Sequence, residues 1–328
     1  MRVLAEHLLA GLVLAAAAAI PAPVLGQKEP LAEANAALQA GEADKALAFL
    51  DKPGNRAEAY NLRCRVEYTL KQWDRAANDC EQAVKLDVRN SDDHLWLGRA
   101  LGEKASRASF MSAYSLAKRV LAEFEEATRL NPRNVEALAA LGEFYYSAPG
   151  MIGGGIDKSE TVAAQMEKID PARAHELRGS IAEHRKDYGT AERELKQAIA
   201  GSAHPAFQWM SLASFYRNRE RFAEMESAIR SGESAAKRDR HAGVALYNGA
   251  SLLRATNRDP ARAAKMLEDY LGSSAKTEEG PAFVAHIWLA QLKQQLGDTA
   301  AASREQAAAL ALAHEYKPAQ EMKQELKH

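Results

Sequence analysis

Small residues followed by a shared downstream pattern return about every 34 positions along this chain of 328 residues, as in AEAYNLRCRVEYTLKQWDRAANDCEQAVKLDVRN from Ala57 to Asn90. A unit of that length is one helical hairpin. It cannot bury its apolar face alone, so neighbours must stack into a solenoid that carries a groove. Within the unit, Tyr60 is followed by the small Cys64, then by Trp73, Ala76, Cys80 and Ala83. Small residues let paired helices approach, and large ones fill the space between hairpins. The marker small residue continues as Gly98, Gly142, Gly179, Ala213, Gly249 and Ala290, at successive spacings of 34, 44, 37, 34, 36 and 41.

This pattern resembles the tetratricopeptide repeat (TPR), which runs W-x2-L-G-x2-Y and then places Y, A, F, A and P at fixed offsets. LNP (Leu130 to Pro132) and IDP (Ile169 to Pro171) close units as that pattern does. KDYGTAERELKQAIA, from Lys186 to Ala200, is a near-model second helix, and RFAEMESAIRSG is a looser one with Met225 where Ala is usual. The resemblance implies an all-α fold, a right-handed α-solenoid of about eight hairpins over residues 29–53, 57–90, 91–134, 135–171, 172–205, 206–239, 242–274 and 281–313. A polar capping helix over 318–327 follows, as the end of such a stack requires. The segments KASRASF and APGMIGGGIDKSE make the chain similar to uncharacterised exported bacterial repeat proteins, a likeness that carries no activity with it.

Residues 1–26 read as a secretory signal peptide. Arg2 precedes an apolar run from Leu8 to Ile20, and Pro21, Pro23 and small residues lead to Gly26. Thirteen apolar residues are too few to span a bilayer as a mature helix. The expected location is therefore the periplasm, with an uncleaved N-terminal membrane anchor as the alternative, and residues 27–328 form the solenoid. Export makes a disulfide between Cys64 and Cys80 feasible, because antiparallel pairing about a turn near Lys71 brings them level. Two small buried thiols are the other reading.

The residues that chemistry would need are missing. The nine histidines include no HExxH, and no Cys pair has zinc spacing. His94, His175 and His286 fall where an aromatic normally packs, as core or rim residues. The glycine run at 153–155 lacks P-loop spacing, and no GxSxG elbow occurs. No catalytic residue, metal site or cofactor is expected. With 43 Lys and Arg against 44 Asp and Glu, no global field draws in nucleic acid.

The resemblance implies a ligand groove on the first helices. Candidate groove residues are Arg65, Tyr68, Arg99, Glu143, Tyr146, Phe207, Met210, Arg217, Leu246, Leu253 and Ile287. The family's carboxylate clamp needs Lys at the fifth repeat position, where this chain has Asn61, Leu95, Ala139 and Glu176. Extra residues in the third and fourth hairpins bring Phe110, Met111, Met151 and Ile152 to one edge. They are expected either to bury one another or to meet a partner. The stretch 272–280 reads as a solvated linker. The function expected is a non-enzymatic protein- or peptide-binding scaffold of the cell envelope. The alternative is a structural protein that self-associates into homo-oligomers through the exposed edge.

Overall fold

The computed structural model describes residues 29–239 and 241–325, and the expected signal segment lies outside them. Sixteen of the seventeen α-helices among the described residues pair in sequence: α1 (Glu29–Ala40) with α2 (Ala43–Phe49), α3 (Ala57–Thr69) with α4 (Trp73–Leu86), and α5 (Ser91–Ala105) with α6 (Phe110–Leu130). The fourth and fifth hairpins are α7 (Val135–Ser147) with α8 (Ile156–Glu167) and α9 (Pro171–His184) with α10 (Tyr188–Gly201). Then come α11 (Ala206–Asn218) with α12 (Phe222–Ala236), α13 (Gly243–Ala255) with α14 (Pro260–Gly272), and α15 (Ala282–Gln295) with α16 (Thr299–Leu312). The closing α17 (Lys317–Glu325) packs on α16. Eight hairpins and a terminal helix form a right-handed α-solenoid, with no strand among the described residues.

Six of the eight hairpins turn by one device. Gly41, Lys71, Lys186, Glu220, Asn257 and Gly297 each adopt positive φ just after a first helix. The next residue's N–H reaches back five positions, for example from Gln72 to Glu67 and from Asp187 to Ala182, each at 2.9 Å. This is a Schellman turn, in which a left-handed residue satisfies the orphan carbonyls of the helix it ends. The two hairpins with extra residues depart from it. In the third, the surplus is mostly helix, because α6 runs for 21 residues. In the fourth, it forms a short 3-10 turn over Gly150–Ile152.

Second helices start under side-chain caps in α10, α14 and α16. There Asp187, Asp259 and Asp298 accept from the backbone N–H three residues on, which satisfies donors a helix start leaves open. The small markers do what their size suggests. A Cβ on Gly98 would come within 2.4 Å of the Phe124 ring, so glycine is what lets α6 seat that side chain.

The apolar interior divides into two arcs. One runs from Cys64 to Ile181 through Leu95, Phe124, Leu138 and Met166. The other joins Ala182 to Met322 with the first residues of the fold, including Leu31, Leu38, Leu50 and Leu62. The first hairpin thus shares a core with the last ones, and the solenoid meets itself. The 272–280 stretch belongs to this seam and is not a solvated linker. Glu278 is 8% exposed, takes both Nε (2.9 Å) and Nη2 of Arg65, and accepts from Gln39 at 3.2 Å. Asp44 accepts from the His314 backbone N–H at 2.9 Å, and Glu315 meets Gln72 at 2.8 Å and Arg75 at 2.9 Å. Gly41 brings its turn against α15 so closely that a Cβ would stand 2.2 Å from the Ala282 nitrogen.

Candidate binding groove

First helices wall the inner surface. A ladder of polar contacts crosses four of them: Arg99 donates to Glu136 at 3.0 Å, Arg173 donates to Glu136 at 3.2 Å and to Glu176 at 2.9 Å, and the Ser211 hydroxyl donates to Glu176 at 2.7 Å. Three cavities open along this wall. One of about 410 Å³ is lined by residues of α7, α9 and α11, and one of about 360 Å³ by residues of α9, α11 and α13. In both, the Arg173 guanidinium pairs with Glu176; the first also holds Glu143 and Glu183, whereas the second holds no other charged group.

The third cavity differs in size and charge. It has a volume of about 940 Å³ and lies between α1, α3, α5 and the seam. Seven carboxylates line it (Glu58, Asp87, Asp92, Asp93, Glu136, Glu278 and Glu279), against the guanidinia of Arg65 and Arg99. Both cations are committed, Arg65 to Glu278 and Arg99 to Glu136, and both lie over the Trp96 ring, at 5.5 and 4.7 Å. The other five carboxylates have no Lys or Arg partner among the described residues.

Asp93 stands at the floor of this cavity. It is 1% exposed, and neither carboxylate oxygen closes a hydrogen bond, nor does the Nδ2 of the adjacent Asn61. Burial pushes the carboxyl up to about 6 against the opposing pull of the Asn61 amide, and Asp87 and Asp92 push it the same way as burial.

The predicted groove residues divide. Arg65 and Arg99 line the acidic cavity, Glu143 and Tyr146 the one beside α9, and Phe207 and Met210 the one toward α13. Tyr68 is wedged edge-on between Trp73 and Trp96, with ring centroids 5.1 and 5.5 Å away. Arg217 is half-buried and donates to Asn218 at 2.9 Å. Leu246, Leu253 and Ile287 are enclosed in the core rather than presented to the groove, because both faces of their helices are covered. Sequence reasoning passes over Asp93, although a signal exists. Counted from each marker small residue, its equivalents are Ala59, Ala137, Ala174, Gln208, Val244 and Ala285, all buried. A carboxylate at that position is the exception.

At the inserted edge, Phe110, Met111 and Met151 are 78%, 75% and 67% exposed, so they do not bury one another as one of the two expectations held, and Ile152 is only partly covered. The two insertions do touch deeper down, where Gly153 lies against Leu121. Cys64 and Cys80 are joined in a disulfide with Cα atoms 5.4 Å apart. Beside it, Arg63 pairs with Asp79, and Glu67 is buried with its carboxyl pushed up to about 8 by burial and by Asp79. His94, His175 and His286 each contact a glutamate of the partner helix through Nδ1, at 2.6, 2.7 and 2.6 Å. No group of three metal-ligating side chains occurs, and no helix is long and apolar enough to cross a membrane, among the described residues.

No family model and no curated protein matches the chain. Solved structures do. A thermophilic TPR protein of Thermus thermophilus is 17% identical over 57% of this chain and 97% of its own, with a TM-score of 0.49. A TPR protein of Parabacteroides merdae is 14% identical over 81% and 98%, at 0.45. The C-terminal part of a TPR repeat-containing protein of Cytophaga hutchinsonii is 13% identical over 76% and 97%, at 0.40. In the stacking of its own hairpins, the chain resembles the tetratricopeptide-repeat proteins.

Proposed function

We propose that this protein is a non-enzymatic scaffold that binds a protein or peptide on the inner surface of its solenoid. The observation that carries the reading is the run of three open cavities along the first helices, the largest with unanswered charge. Such a concave wall suits an extended segment, which takes main-chain hydrogen bonds from polar side chains and specificity from spaced pockets. A photoreactive group at Phe207 tests it, with one at Phe110 for comparison. Adduct formation with a defined partner at Phe207, lost on competition by a peptide from that partner, supports the groove. Adducts at Phe110 alone would remove it.

The leader at residues 1–26 supports export to the periplasm, where a partner would be met. Mass measurement of the protein from a periplasmic extract, expected to begin near Gln27, tests that. The exposed Phe110, Met111 and Met151 favour a second reading, self-association through this edge. Light scattering distinguishes them: a concentration-dependent dimer abolished by Phe110→Glu supports the second, and a monomer at all concentrations excludes it.

A further inference from the structure

Asp93 occupies a place that the fold fills mostly with small or apolar residues. In four other hairpins the equivalent is alanine, buried in each case. A carboxylate there has lost its water and closes no hydrogen bond, with only the nearby Asn61 amide set against the burial, an arrangement that destabilises the empty protein. The first turn of α5 offsets little of this, since the N-cap Asn90 already accepts from the backbone N–H groups of Asp92 and Asp93. Four further carboxylates without cationic partners among the described residues line the same cavity. The site therefore carries an excess of negative charge that its two arginines do not answer.

A metal ion does not fit this need, because no three ligating side chains among the described residues converge there. A free amine is too small for a space of about 940 Å³ that spans three hairpins. The cavity also presents the exposed amide of Asn35 and the Nδ2 of Asn90, whose oxygen already caps α5, groups suited to a peptide main chain. We propose that the cavity between α1, α3, α5 and the seam binds a basic extended peptide, and that Asp93 receives the ammonium or guanidinium group of one Lys or Arg side chain. This rests on the peptide-binding reading and names the chemistry of its ligand. It also accounts for an unpaired carboxylate in a core position: the charge that is unfavourable in the empty protein is answered when a ligand arrives.

Fluorescence anisotropy of the full chain with fluorescein-labelled octapeptides provides the test. The peptides carry two Lys, two Arg or two Glu among Gly and Ser. The Lys or the Arg peptide binds, which distinguishes the two cations, and the Glu peptide does not. Asp93→Asn weakens the basic peptide by about tenfold or more, as expected for loss of a buried charge-assisted contact. Its melting temperature is equal to or above that of the unaltered protein. Asp93→Ala, which installs the residue of the equivalent hairpins, gives the same two results and serves if the first variant folds poorly. Asp157→Asn, on the exposed side of α8, leaves affinity unchanged. Equal affinity in the Asp93 variants, or a lowered melting temperature with affinity retained, overturns the assignment and makes Asp93 structural. If no basic peptide binds while the Phe207 crosslink still captures a partner, the inference fails and the broader reading stands. If neither occurs, both fail.

Discussion

Replacing Gly41 by alanine separates the seam from the rest of the solenoid. Gly41 sits at φ +73°, a conformation that costs an L-residue about 1–2 kcal/mol. That cost alone is shared by Gly54, at φ +61°, which has nothing within 4 Å of its Cβ direction. At Gly41 the added carbon would also stand 2.2 Å from the Ala282 nitrogen and 2.9 Å from its Cβ. Backbone cannot swing aside as a side chain can, so the first turn and α15 must part by about an ångström to reach ordinary contact. That displacement acts on the neighbouring Gln39–Glu278 and Arg65–Glu278 contacts, both partly buried. Losing these, at about 1–2 kcal/mol each, brings the total to about 3–6 kcal/mol against 1–2 for Gly54→Ala. Urea unfolding of both variants measures the difference, and small-angle scattering reads the geometry. Gly41→Ala should enlarge the radius of gyration, and Gly54→Ala should not. Equal stability losses with unchanged scattering in both would refute the claim that this contact holds the seam.

The disulfide closes a loop across a separation of 16 residues, so Cys64→Ala with Cys80→Ala should cost about 3 kcal/mol, and reductant should bring the unaltered protein to the same melting temperature. Glu220 holds the left-handed turn position at φ 56°, so Glu220→Gly should be neutral or stabilising by up to about 1 kcal/mol, the relief of backbone strain offsetting glycine's entropy; a clear loss by thermal melting would contradict it. Glu67, with its folded value raised to about 8 from 4.5, binds a proton that the unfolded chain has released. Its contribution to stability is present at low pH and falls as pH rises from about 5 to 8. Melting temperature should therefore drop across that interval, and Glu67→Gln should flatten the slope. An unchanged slope would place the ionised form in the folded protein at neutral pH.

The parts of this molecule visible in its sequence are those written within one hairpin. At Gly98 and Gly179 the small marker accommodates a side chain of its own unit, Phe124 and Leu195. The turn at Lys71 is equally local, which is why the pairing of Cys64 with Cys80 can be weighed from sequence at all. Leu246 and Ile287 are harder to place. An apolar residue on a first helix serves either the groove or the core, and only the packing of both neighbours decides which. The acidic cavity needs two further steps. Asp93 becomes conspicuous only when equivalent positions are compared across hairpins, and Glu278 reaches the cavity from a stretch whose polar composition suggests solvent. Its partner Arg65 lies 213 residues away, and no periodicity records such a contact.

The meeting of the first and last hairpins also changes how the chain can come apart and assemble. In an open stack each repeat depends on its neighbours alone, so nucleation is local, contact order is low and terminal repeats fray first. Contacts between residues separated by 239 to 270 positions raise the loop-closure cost of the final step and make the first hairpin wait for the last. Once formed, they leave the terminal repeats without a free outer edge from which to peel. Hydrogen exchange should then show the first and last hairpins opening together, as one cooperative unit, rather than in a gradient from either end.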